Sequence, residues 1–447
     1  MNLNDIHNVY LIGIGGIGMS ALAKYFKVNG KNVAGYDRVS SPIIKSLQET
    51  GIDVHFEDSI DLIPKYFFNK KETLVIYTPA IPKDQSEFIY FQENDFYLFK
   101  RAQILGLITA NSFCFAVAGT HGKTTTSSIL GHILHESGVN ATSFLGGIAE
   151  NYNSNFILGG EEVTVVEADE FDRSFLQLSP NIACITSMDA DHLDIYGQHV
   201  ELEKSFRDFA QKVTDQLFVC KGLSLDGLTY GIENDADYNV ENLRIENGAY
   251  LFDVKTPDDK ILKIELNLPG RHNVLNAVAA LAMANFYGVS LDKIKSAIKS
   301  FKGVQRRFSY KIKTENLVLI DDYAHHPTEI NAVVNSVREL YPNKKVLGIF
   351  QPHLFSRTRD FVDDFALSLS KFDELILLDI YPARELPIEG ISSEWLLSKI
   401  KNSAKKVVQK HDLSENILKS KSEIIVMIGA GDIGEMVENI KNQLLKR

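Results

Sequence analysis

A chain of 447 residues has room for about three compact domains, each with its own core. Its 45% hydrophobic and 23% charged residues are a globular balance, and no apolar run approaches the roughly 20 residues of a membrane span. A net charge of -11 argues against a nucleic-acid partner, and three scattered cysteines (Cys114, Cys184, Cys220) argue against a zinc site or a disulfide framework.

The N-terminus carries no basic stretch before its first apolar run, which leads into a glycine loop rather than a cleavage site, so no secretion signal is expected. VYLIGIG reads as a strand, GMSALAKYFKVNG as a helix ending on glycine, KNVAGYD and LVIYTPAI as further strands. The pattern restarts near residue 110 with the strand FCFAVAG, the loop THGKTTT and the helix SSILGHILHESG. VTVVEAD and NIACITSMDAD follow as strands, then shorter strand-like pieces, then the helical RHNVLNAVAALAMANFYG. After GVQRRF a third alternation begins: LVLIDDY, EINAVVNSVREL, KVLGIFQP, DFVDDFALSLSKF, ELILLDIYP and EIIVMIGAG. Alternating strands and helices predict α/β architecture throughout, in three domains: 1–108 and 302–447 Rossmann-like, and 109–301 a central P-loop ATPase-like domain.

Gly119-Thr120-His121-Gly122-Lys123-Thr124-Thr125 is the strongest motif. It falls short of the full P-loop pattern, an apolar residue standing where the first glycine is usual, but keeps what the chemistry needs. Backbone N–H groups at a helix N-terminus bind phosphate, a lysine reaches the β and γ phosphates, and a threonine hydroxyl can ligate Mg²⁺. Gly13-Ile14-Gly15-Gly16-Ile17-Gly18, followed by Asp37 at the end of the next strand, fits a dinucleotide fingerprint; the physics selects a diphosphate, which NAD and a UDP-sugar both carry. A second match, Gly429 to Gly434, lies near the C-terminus and reads as a turn. Glu167, Asp169, Glu170 and Asp172 cluster after a strand expected beside the phosphate loop, where Mg²⁺ needs carboxylates; His192 is similarly placed. Two polar clusters, Asp321 to Pro327 and Gln351 to Arg357, fall at strand ends of the third domain, and Arg306 and Arg307 sit at the second linker.

In this order, GIGGIGMS, GTHGKTTT, EADEFDRSF, DADHLDIYG, GRHNVLNA, GVQRRF, DDYAHHPTE, QPHLFSRT and YPARELPIEG, the chain resembles the Mur ligase family over essentially its whole length. The resemblance implies ATP-dependent ligation of L-alanine to the carboxylate of UDP-N-acetylmuramate through an acyl phosphate, in the cytoplasm. ATP and Mg²⁺ would be needed, no nucleic acid or membrane would take part, and the protein would be a monomer or homodimer. It assigns Gly13, Gly15, Gly16, Ile17, Gly18, Met19, Ser20 and Asp37 to the UDP-sugar. Gly119 to Thr125, with Asn273, Asn276, Arg307 and Asp322, would bind ATP. Thr124, Glu167 and His192 would hold metal, with Lys123, His192 and Arg307 as the catalytic set. His325, His353 and Arg357 would meet the amino acid, Leu354 standing where many relatives carry arginine. The alternatives are a ligase joining a recycled tripeptide to the same sugar, an NAD-dependent oxidoreductase resting on the first glycine loop alone, and a nucleotide-binding regulator.

Overall fold

The computed structural model describes residues 3–189, 199–246, 248–383, 385–402 and 404–446. It contains three sheets built on parallel strands, whose continuous apolar runs suit strands buried on both faces. In the first, Asn8–Ile12 lies at the centre between Asn32–Tyr36 and Thr73–Tyr77, with Asp53–His55 and Tyr97–Lys100 at the edges. In the second, Phe113–Ala118 runs parallel between Ile182–Ile185 and Val163–Glu167, in registers that set Val117 beside both Cys184 and Glu167. In the third, Ile424–Ile428 is flanked by Val318–Asp322 and Val346–Phe350. The antiparallel edge strand Ser309–Lys313 of that sheet was not legible as a strand in the sequence.

Contacts divide the chain into two compact units: Met1–Leu243 with Phe252–Glu265 and Leu275–Lys302, and Arg244–Leu251 with Leu266–Val274 and Gly303–Arg447. The first unit carries the whole first sheet and the parallel centre of the second; the other carries the third. No helix among the described residues is long and apolar enough to cross a membrane.

One polar group sits deep in the first sheet. The Tyr10 hydroxyl donates to Glu87 Oε2 at 2.8 Å and lies 2.7 Å from His55 Nε2, and both Tyr10 and Glu87 are fully buried. Burial pushes the Glu87 carboxyl up to about 7, the hydrogen bond from Tyr10 opposing it. A carboxyl raised by folding contributes stability that is full below its ordinary value and is lost as pH rises through 7. Glu87→Gln, always neutral, is expected to melt roughly 2–4 °C above the parent at pH 8 and no higher than it at pH 4.5. Calorimetry at the two pH values checks this; equal melting at pH 8 would contradict it.

Candidate active site

The phosphate loop is preformed by its neighbours. After Phe113–Ala118 the chain turns at Gly119, φ 129°, where a Cβ would fall 2.1 Å from Thr186 Oγ1. Gly122, φ 83°, caps the helix Lys123–Glu136, and a Cβ there would fall 2.5 Å from Asn276 Oδ1. Left-handed backbone and absent side chain make both positions glycine-specific. The segment after Ile182–Ile185 staples the loop: Thr120 N–H donates to Ser187 O at 3.2 Å, His121 N–H to Ser187 Oγ at 2.8 Å, and Asp189 N–H to Thr120 Oγ1 at 3.1 Å. Thr124 and Thr125 are buried, and Thr126 Oγ1 donates to Asn276 Oδ1 at 3.2 Å. Asn276 therefore stands against the loop. Asn273 falls in the other compact unit, its amide donating to Pro269 O at 2.6 Å.

A phosphate-loop lysine is expected to be exposed before its ligand arrives; here it is not. Lys123 Nζ lies 2.8 Å and 3.0 Å from the two carboxylate oxygens of Glu170 and 2.7 Å from Gly119 O. Burial alone would lower the ammonium's pKa, but Glu170, Asp169 and Glu167 outweigh it and raise it. The other carboxylates of the acidic cluster go different ways. Glu167 Oε2 accepts from Gly146 N–H at 3.0 Å, Asp169 pairs with Arg101 at 3.5 Å, and Asp172 turns to Lys100 at the surface, also at 3.5 Å. His192 lies outside the described residues.

The first glycine loop opens the helix Ile17–Val28, with Gly16 as its cap. Beside it lies a cavity of about 270 Å³ that runs past Thr78 and Arg101 to Gly146, Glu167 and Asp169. One wall is thus a helix N-terminus with Arg101 beside it, which suits an anionic group, and another is the acidic end of the second sheet, which suits a cation. Three sequence assignments acquire structural roles. Asp37 closes the loop by accepting from Gly15 N–H at 2.8 Å. Ser20 accepts from Asn155 at 2.9 Å and is fully buried. Gly15 is a glycine because a Cβ would meet Ile44 at 2.8 Å and Asp37 at 2.9 Å, so the close approach is to its own chain. Gly16 lines the cavity, and a Cβ there would make contacts no closer than 3.5 Å, so it is the position whose substitution reports on a ligand. Arg101, which sequence reasoning missed, packs its guanidinium 2.7 Å from where a Cβ on Gly18 would stand. The only signal was a basic pair closing one strand and opening a helix.

In the other unit the two polar clusters follow the C-terminal ends of Val318–Asp322 and Val346–Phe350, the two strands that flank Ile424–Ile428. Asp322 is buried and accepts from Phe308 N–H at 2.6 Å and Ala324 N–H at 2.7 Å; burial raises its carboxyl to about 6 against the pull of Arg307. It thereby fixes the turn that carries Arg306 and Arg307, whose guanidinium carbons lie 5.0 Å and 5.3 Å from the Tyr323 ring centre. His325 Nδ1 lies 3.4 Å from Glu329, and its ring centre 5.8 Å from that of His353, which stacks on Tyr381 at 5.7 Å. Burial, then the neighbouring His325 and Arg357, push His353 down to about 4, so its imidazole is neutral near pH 7. Arg357 is buried on the short helix Phe355–Asp360. Leu354 takes φ 72° and donates its N–H to Tyr381 O at 2.9 Å.

The second glycine match, read from sequence as a turn, belongs to this cluster. Ile424–Ile428 runs between Val318–Asp322 and Val346–Phe350, so Gly429 follows the central strand and donates to Asp322 O at 3.0 Å. Arg306 Nη2 donates to Gly429 O at 2.5 Å, and a Cβ on Gly431 would fall 2.4 Å from Gln351 Oε1. A helix, Ile433–Leu444, follows. The sequence showed the glycines but not which strands flank them.

Three family models match in succession: Mur ligase family, catalytic domain, over residues 8–113; Mur ligase middle domain over 117–284; and Mur ligase, glutamate ligase domain, over 306–432. The UDP-N-acetylmuramate–L-alanine ligase of Flavobacterium psychrophilum is 63% identical over 446 residues, 99% of each chain. The protein of the same name from Christiangramia forsetii is 60% identical over 447 residues, again 99% of each. Among solved structures, the UDP-N-acetylmuramate-alanine ligase of Thermotoga maritima superposes with a TM-score of 0.85 at 28% identity, covering 98% of this chain and 99% of its own. A murein peptide ligase from Psychrobacter arcticus shares the fold, with a TM-score of 0.71 at 21% identity and 98% of each chain covered. With full-length relatives at this identity, and with its phosphate loop, acidic strand end and glycine-capped cavity in one compact unit, the chain belongs to the Mur ligase family.

Proposed function

We propose that this protein joins L-alanine to the lactyl carboxylate of UDP-N-acetylmuramate at the expense of ATP, releasing ADP and phosphate, in the cytoplasm where both nucleotides are available. The observation that carries the reading is the pairing, within one compact unit, of two helix N-termini suited to phosphates. One bears Lys123, and the other opens on a cavity that ends at Glu167. Two such sites serve a reaction between two phosphorylated substrates, whereas hydride transfer to NAD has no use for the lysine loop. Near-full-length identity of about 60% to alanine ligases favours alanine over a recycled tripeptide.

The loop N–H groups and Lys123 neutralise the γ-phosphoryl group so that the sugar carboxylate can approach it. The carboxylate oxygen bonds to phosphorus, the bond to ADP breaks, and an acyl phosphate results. The neutral amine of alanine then attacks the acyl carbon, phosphate departs and the nitrogen loses a proton. Thr124 and Glu167 have donor chemistry that suits Mg²⁺, a hydroxyl and a carboxylate; they would hold the ion, which would screen phosphate charge. In the other unit Arg307 would contact ATP, and Arg357, His325 and His353 would receive the amino acid. With Leu354 in place of arginine, Arg357 would bear most of the contact with the alanine carboxylate.

The direct test is ADP release by purified protein with ATP, Mg²⁺ and UDP-N-acetylmuramate, comparing alanine, glycine, serine and the tripeptide. Alanine is expected to give the highest kcat/KM, and a preference for the tripeptide would replace this reading. Arg101 and Gly16 test the cavity as the sugar-nucleotide site. Arg101→Ala and Gly16→Ala are each expected to raise KM for UDP-N-acetylmuramate about 10-fold or more while leaving KM for ATP within about 3-fold. Equal effects on both substrates would remove the cavity from the sugar-nucleotide site.

A further inference from the structure

Glu170 stands outside the phosphoryl-transfer chemistry described above, yet its carboxylate lies 2.8 Å from the ammonium of the loop lysine. It follows Glu167 by three residues, at the end of the strand that pairs with Phe113–Ala118, and that pairing brings its carboxylate to a lysine 47 positions earlier. The turn beyond is closed by backbone bonds, Arg173 N–H to Glu170 O and Phe175 N–H to Asp169 O, each 2.9 Å. The carboxylate is wholly buried, while the lysine side chain keeps 13% of its surface exposed.

We infer that Glu170 is a positioning residue for phosphoryl transfer: it holds the Lys123 ammonium against the loop and keeps that hold while nucleotide is bound. The inference rests on the reading of Gly119 to Thr125 as the ATP loop. An ammonium has three N–H directions. Glu170 takes one side, at 2.8 Å and 3.0 Å, Gly119 O takes a second at 2.7 Å, and the remaining direction has only a long contact to Thr120 O at 3.5 Å, which a phosphate oxygen can displace. If the lysine swung away to meet nucleotide, it would abandon a buried carboxylate, and losing the counter-charge costs more than one new charge-assisted hydrogen bond returns. The lysine therefore meets ATP in place, and its orientation at the γ-phosphoryl group is set by Glu170.

A carboxylate that merely filled the place of the γ-phosphate would behave oppositely, because removing its charge would let nucleotide bind more tightly. Glu170→Gln separates the two. Positioning predicts kcat about 10²-fold lower, with the Kd of a non-hydrolysable ATP analogue, measured calorimetrically, within about 3-fold of the parent. Glu170→Asp keeps the charge at shorter reach, so it is expected to recover part of kcat at the same Kd. It carries the test alone if the glutamine variant does not fold, with kcat below the parent and Kd unchanged. Analogue binding 10-fold tighter, or kcat unchanged in a variant that folds, overturns the inference. Failure of the unmodified protein to bind the analogue would instead remove the ATP-loop reading, so the two failures are distinguishable.

Discussion

Replacing Lys123 with alanine is expected to abolish ligation, lowering kcat by about 10³-fold or more, and also to destabilise the protein. A lysine waiting in solvent for a phosphate would be removable at little structural cost. Lys123 is instead the counter-charge of a fully buried Glu170, at 2.8 Å. Breaking one side of such a pair costs about 3–5 kcal/mol, because a carboxylate is left desolvated with its charge uncompensated. A lower melting temperature should therefore accompany the loss of activity. Lys123→Ala combined with Glu170→Gln removes both charges and should regain most of the lost stability while remaining inactive. Calorimetry and ADP release on the three proteins check this. Undiminished turnover in the single variant would remove the lysine from the chemistry, and a double variant no more stable than the single one would show that the lost charge was not the cause.

Glu167→Gln is expected to lower kcat by about 10²-fold at a fixed Mg²⁺ concentration and to shift the Mg²⁺ dependence to higher concentration. Its position supports a role at the reacting groups rather than in the core. The carboxylate ends a buried strand, lines the cavity reached from the first glycine loop, and accepts from Gly146 N–H at 3.0 Å. A glutamine fills the same volume and can accept the same hydrogen bond, so little stability should be lost, whereas a hard cation held there would lose a charged ligand. Binding of UDP-N-acetylmuramate alone should change little. An unchanged Mg²⁺ titration curve would leave Glu167 only the task of ordering the Gly146 segment.

The parts of this protein legible in its sequence are those encoded by neighbouring residues. Strand, glycine turn and helix in succession announced the loop at Gly119 to Thr125, because left-handed backbone at Gly119 and Gly122 and an apolar strand before them are local requirements. The same logic gave the loop at Gly13, the alternation of the third segment, and the family resemblance, a fixed order of such local signals. What only tertiary structure decided is which side chain meets which. Glu167, Asp169, Glu170 and Asp172 form one acidic word in the sequence, yet they serve Gly146, Arg101, Lys123 and Lys100 in turn. Arg101 reached the cavity, Ile44 filled the space a side chain on Gly15 would need, and Gly429 joined Asp322 through strand order and packing between distant segments. Local backbone preference sets where a chain turns. The partner of a charge depends on which strands lie side by side and in what register, and no single stretch of sequence records that.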